Sequence, residues 1–118
     1  MNCFAFRIRK RYFDLIVNGE KTVEYRRDIP FWRVRIVNLV KRVCLRFIEK
    51  KVGSDALMEI NDLKDMGIFA VFSSGRNVHR REVLKIERIK TPKDFSNQGK
   101  QDVDTEFCWA FHLGKEVF

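Results

Sequence analysis

The sequence predicts a single α+β domain, five strands with helices that can close into a small barrel. Three observations carry this expectation: stretches of strict period-two alternation at both ends of the chain, helical periodicity between them, and a length of 118 residues that fills one core and no more. Phe4, Phe6 and Ile8 alternate with Ala5, Arg7 and Arg9, the pattern of a half-buried first strand. Tyr12, Phe13, Leu15, Ile16 and Val17 then recur at helical spacing, and Asn18-Gly19 supplies a left-handed stop, so a short helix is expected over about 10–18. A second strand follows over 22–27, with Val23 and Tyr25 on one face and Thr22, Glu24 and Arg26 on the other.

Pro30 suits a first helical turn, and Trp32, Ile36, Leu39, Val40, Val43 and Phe47 continue at a 3.6-residue period, with Arg35, Arg42, Arg46 and Lys50 on the opposite side. The competing assignment is a strand across 34–40, where Val and Ile are frequent. Gly53-Ser54-Asp55 is expected to cap a further helix through about Lys64, ended by Gly67, which makes about 31–67 a helical insertion between the second and third strands. The run Ile68–Phe72 reads as a central strand, Ser73-Ser74-Gly75 with Asn77 as a turn, and 80–89 as a long strand. Thr91-Pro92-Lys93-Asp94 opens a helical turn that Gly99 closes. Phe107, Trp109, Phe111 and Leu113 then alternate with Cys108, Ala110 and His112 in a closing strand, the fifth.

Charge narrows the function. The formal net charge is +8, with +9 falling in residues 1–51 and −1 in the remainder, so the positive field belongs to the first half. Such asymmetry favours a polyanion, nucleic acid ahead of an acidic membrane surface. No apolar run exceeds five residues, which excludes a membrane-crossing helix. The segment Met1–Arg7 has neither a basic stretch before an apolar one nor a small-residue cleavage site, so a cytoplasmic location is expected. Three widely spaced cysteines, Cys3, Cys44 and Cys108, argue for reduced, packed thiols rather than a disulfide framework. His79 and His112 are the only histidines; Cys108 and His112 share a strand face, but no further ligands accompany them and no metal or other cofactor is expected.

The run Tyr12-Phe13-Asp14-Leu15-Ile16-Val17-Asn18-Gly19-Glu20-Lys21-Thr22-Val23-Glu24-Tyr25-Arg26-Arg27 resembles the signature of the ASCH domain family, with Gly-x-Lys-Thr-x-Glu-x-Arg at its centre. The apolar run at 68–72, His79-Arg80-Arg81-Glu82 and Thr91-Pro92 follow in the order such domains show, while the segment from about Phe31 to Gly67 departs from the strand that many of them carry there. The resemblance implies a PUA-like fold, a mixed β-barrel decorated with helices, and a cleft between the first helix and neighbouring strands that takes RNA or a nucleotide-like ligand. It also implies an alternative. A bacterial branch hydrolyses N4-acetylcytidine with a Lys-Thr-x-Thr motif whose second Thr is the nucleophile; here Lys21 corresponds, position 24 is Glu, and the third catalytic residue has no single counterpart among Asp102, Asp104 and Glu106. Other relatives are ribonucleases.

The candidate site residues follow. Lys21 and Glu24 are the candidate catalytic pair, a Lys among cations and a Glu able to act as base; the plainer alternative is a strand-edge ion pair of Glu24 with Arg26. Arg7, Arg9, Lys10 and Arg11 with Arg26 and Arg27 are candidates for one phosphate-binding surface, Arg35, Arg42 and Arg46 extend it, and Arg80 joins the ligand-binding set. Ser73 and Ser74 are candidates through their backbone amides. Tyr25, Trp32 and Trp109 can stack on bases or fill the core. A protein-interaction module that keeps only the barrel is the third functional class.

Overall fold

The computed structural model describes residues 2–43, 58–60, 63, 64, 66–92 and 106–117. In chain order the elements are β1 (Asn2–Arg7), α1 (Lys10–Val17), β2 (Val23–Arg27), α2 (Pro30–Val43), β3 (Met58–Ile60), β4 (Ile68–Ser74), β5 (Asn77–Lys90) and β6 (Phe107–Glu116). Five strands form the path β1-β4-β5-β6-β2, a curled half-barrel, and β3 pairs with β5 beside it. β1 runs parallel to β4; every other pairing is antiparallel.

The two periods expected in the first half produce these elements. Phe4, Phe6 and Ile8 are buried while Ala5, Arg7 and Arg9 are exposed. α1 buries Phe13 and Ile16, then stops where Gly19 takes φ +84. α2 buries Trp32, Ile36 and Leu39 at i, i+4 and i+7. These side chains meet Ile68, Ala70 and Phe72 of β4, Val83 and Ile86 of β5, and Trp109, Phe111 and Leu113 of β6 on the inner face of the sheet. Phe6 is at the centre of an aromatic group, with ring centroids 5.0 Å from Trp32, 5.2 Å from Phe72 and 5.0 Å from Phe111.

Three expectations need correction. Where a helix through Lys64 was expected, residues 58–60 form a strand, so the segment between β2 and β4 is not helical throughout. β5 is 14 residues long, and β4 covers its edge only from Asn77 to Glu82; Met58–Ile60 takes the exposed ladder groups farther along, opposite Ile86–Arg88. Among the described residues the sheet therefore has the five strands of the half-barrel path and a sixth, β3, that was not expected. Ser73 and Ser74 belong to β4 and pair with Val78 and Asn77, so the turn is Gly75-Arg76, with Gly75 at φ +59. The continuation of α2 through Phe47, with Arg46, Lys50 and Cys44, and the helical turn after Pro92 lie outside the described residues, as do Asp102 and Asp104.

Cys108 lies on the outer face of β6 yet is fully buried, and burial pushes its thiol up to about 11 from an ordinary 9.0; a hydrogen bond from Thr91 pulls the other way and the nearby Asp28 carboxylate adds to the rise. Between those values the unfolded chain has lost its thiol proton and the native one has not, so this stabilisation, complete below pH 9, is lost as pH rises towards 11. The loss amounts to about 2 to 3 kcal/mol at most. Urea unfolding at pH 8 and pH 10.5 is expected to show a steeper decline for the wild type than for Cys108→Ala; parallel declines would contradict this account.

Candidate functional site

The site begins with the parity of β2. Glu24 lies opposite Phe111, and Arg26 opposite Trp109, in the β2–β6 register. Phe111 and Trp109 fill the core. Side chains directly opposite on neighbouring strands share a face, so the charged face of β2 is the one turned inward, and Val23, Tyr25 and Arg27 take the outer face. The ion pair expected at an exposed strand edge is thus an interior one: Glu24 is 0% exposed.

Each Glu24 oxygen is engaged by a different cation. Lys21 Nζ donates to Oε1 at 2.6 Å, and Arg26 Nε donates to Oε2 at 3.0 Å. The side chains of Lys21 and Arg26 keep about a fifth of their surface, at 21% and 20%. Taking a carboxylate out of water costs several kcal/mol, which two charge-assisted hydrogen bonds repay only with good geometry. The turn before β2 is itself fixed: Lys21 N–H donates to Leu15 O at 2.9 Å, and Glu20 N–H donates to Asn18 Oδ1 at 3.0 Å. The backbone that carries the ammonium is therefore held against the end of α1.

Aromatic rings stand against both cations. The Arg26 guanidinium carbon is 5.0 Å from the centre of Phe6 and 5.7 Å from that of Trp32. Lys21 Nζ is 5.1 Å from the Tyr12 ring, which also has the Arg11 guanidinium 4.7 Å away, with Arg11 Nη2 donating to Tyr12 Oη at 2.8 Å. A continuous series of groups thus runs from exposed Arg11 through Tyr12 and Lys21 to Glu24, Arg26 and Trp32. Arg26 Nη2 lies 3.0 Å from Glu24 Oε2, but the atom is buried and has no hydrogen-bond acceptor among the described residues.

The other candidates do not gather here. Arg7 pairs with Ser73 and Arg80 with Val71, positions opposite in parity to Phe6 and Phe72, so Arg7, Ser73 and Arg80 lie on the outer face. Arg27 lies there too, on the strand at the opposite end of the path from β1. Arg9 and Lys10 are exposed at the start of α1, where Lys10 Nζ pairs with Asp14 at 2.9 Å. Ser73 O accepts the Ile8 N–H at 2.9 Å, and Ser74 closes the β4–β5 hairpin opposite Asn77. Trp32 and Trp109 are core residues; Tyr25 is half-buried on the outer face. Of the expected set, Arg11, Lys21, Glu24 and Arg26 form one neighbourhood.

Tyr12 and Phe6 belong to that neighbourhood without having been singled out. The available signal for Tyr12 was its place beside Arg11 one turn ahead of the Asn18-Gly19 stop. For Phe6 there was none beyond its alternation. Two ties support the frame around the site. Arg81 donates to Gly114 O at 2.6 Å and to Ile16 O at 2.9 Å, joining β5, β6 and the last turn of α1. Asp28 accepts from Arg88 Nε at 2.7 Å and from Trp109 Nε1 at 3.0 Å, which closes the end of β2 onto the sheet. Among the described residues no group of three or more His, Cys, Asp or Glu side chains is placed to hold a metal ion, and no helix is long and apolar enough to cross a membrane.

No family model, curated protein or solved structure matches this chain.

Proposed function

We propose that this chain is an RNA-binding domain of the ASCH type with a PUA-like barrel, taking single-stranded RNA or a nucleotide-like ligand beside α1, with Lys21, Glu24 and Arg26 at the site. One observation carries the reading: a wholly buried carboxylate on the inner face of the sheet holds two partly exposed cations in fixed places against aromatic rings. Replacing such a group with apolar residues is often neutral or stabilising, so an interior carboxylate is poorly explained by stability. What it provides is an ammonium and a guanidinium with restricted orientations, suited to a phosphate and to the face of a base. The Gly19–Arg26 spacing, the strand at Met58–Ile60 and the positive first half support the same reading. With Glu24 shielded from solvent and each oxygen already engaged, no observation favours hydrolysis.

The test is a fluorescence-anisotropy titration of short single-stranded RNA over a range of salt concentrations. With about three to five phosphates neutralised, log affinity is expected to fall against log salt with a slope of roughly −2 to −3.5. Arg11→Ala is expected to reduce the magnitude of that slope by about 0.7, one phosphate, whereas Arg7→Ala, on the other face, leaves it unchanged. Absent or salt-independent binding overturns the assignment. Equal losses from the two variants overturn the placement of the site.

A further inference from the structure

A groove separates β1 from α2, and none of Lys21, Glu24 and Arg26 lines it. It has a volume of about 220 Å³ and is lined by Cys3, Phe4, Ala5, Arg35, Asn38 and Leu39. β1 ends the strand path, so along this side no strand covers it among the described residues. Most of the groove's exposed surface is polar, and two polar side chains line it, Arg35 and Asn38, which α2 presents three residues apart and therefore on one face. The Arg35 guanidinium carbon is 4.1 Å from the centre of the Phe31 ring, which is 52% exposed. Stacking of this kind leaves the edge N–H groups of a guanidinium available. Among the described residues neither Arg35 nor the Asn38 amide has a hydrogen-bond or ion-pair partner.

We infer that this groove is a second subsite, for one nucleotide of a single strand, in which Asn38 reads the edge of the base and Arg35 holds its phosphate. The inference rests on the nucleic-acid reading proposed above. Volume decides the size of the occupant: 220 Å³ is below the roughly 300 to 1,000 Å³ of pockets for drug-sized ligands, enough for the base of one nucleotide, with its phosphate reaching the exposed Arg35, but not for a dinucleotide. Chemistry decides its kind. Among the described residues the only charged lining group is a cation, so an anion is favoured. A primary amide offers a donor and an acceptor side by side, which matches the N6 and N7 edge of adenine. Phe4, Ala5 and Leu39 give the groove an apolar part against which a planar heterocycle can lie.

The full-length chain, labelled with ¹⁵N, is titrated with adenosine, cytidine, guanosine and uridine 5′-monophosphates and with inorganic phosphate. The expected result is a perturbation of the Cys3, Ala5, Arg35 and Asn38 amides that is strongest for the adenine nucleotide. Asn38→Ala is expected to weaken that nucleotide about tenfold and to abolish the preference, while Arg35→Gln weakens all four alike by about fivefold. Both positions are exposed, so neither variant removes a core contact. Equal effects of inorganic phosphate and nucleotide at these amides overturn the inference, as does preference for an acidic peptide, or an Asn38→Ala variant that keeps its adenine preference. RNA binding with the expected salt slope but no mononucleotide response in the groove overturns this inference alone; absent or salt-independent RNA binding overturns the reading on which it rests.

Discussion

Glu24→Gln is expected to destabilise the domain by about 3 kcal/mol, a large part of the 5 to 15 kcal/mol typical of a whole domain. The substitution keeps the shape of the side chain and removes its charge, so Lys21 and Arg26 remain in the interior without an anion between them. Their residual exposure puts the effect at the low end of the roughly 3 to 5 kcal/mol for a broken buried pair, since water still screens part of each charge. For a chain of this size that corresponds to a fall in Tm of roughly 10 to 15 °C. Thermal and urea unfolding of the two proteins measure it. Replacing the whole group, as Lys21→Met, Glu24→Leu and Arg26→Met together, is expected to recover most of the stability and to lose RNA binding, because the desolvation cost goes along with the cations. A loss below 1 kcal/mol for Glu24→Gln would mean that the carboxylate is solvated and not buried between the two cations.

Phe6→Ala is expected to cost about 3 to 5 kcal/mol. Phe6 is 1% exposed and has Trp32, Phe72 and Phe111 around it, so truncation leaves a cavity that three large rings cannot all close at once. The same change removes one of the two rings beside the Arg26 guanidinium, and a cation–π contact there contributes about 0.5 to 2 kcal/mol. Phe6→Leu separates the two effects, since it keeps most of the volume and none of the π face. It is expected to recover the greater part of the stability and to leave RNA affinity weakened. Were Phe6→Leu to restore both fully, the ring would be a packing residue only.

Much of this arrangement was legible in the sequence, and what was not has a physical cause. Period-two alternation at 22–27 reveals a strand with Glu24 and Arg26 on one face, but that period is symmetric between the two sides, and charged residues are assigned by default to solvent. What turns them inward is the register of β2 on β6, set by residues 108–112 and invisible within the window around Glu24. The same parity argument separates Arg7 from Arg26, two residues that looked adjacent only because their elements follow each other in the chain. Ser54-Asp55 is a credible local cap, and local signals favoured a helix after it; the strand at 58–60 forms because the long β5 leaves an unpaired edge that no propensity scale includes. The run from Gly19 to Arg26 contains three charged residues that meet, Lys21, Glu24 and Arg26. Only the fold distinguished those that meet from those that do not.

The strand pairing also constrains the order of folding. β1, at residues 2–7, pairs with residues 68–73, and β2, at 23–27, pairs with 108–112. Both ends of the sheet path are therefore closed by contacts of very long sequence separation, the kind whose loop-closure entropy slows folding. During synthesis the basic, phenylalanine-bearing first half leaves the ribosome well before either strand has its neighbour, and at 5 to 20 residues per second the wait for β6 lasts several seconds. For that interval the positive field of this half is spread along an open chain, without the geometry that β6 later imposes. The register that turns Glu24 and Arg26 inward thus waits for the second half of the chain, whose ten Lys and Arg are balanced by eleven Asp and Glu.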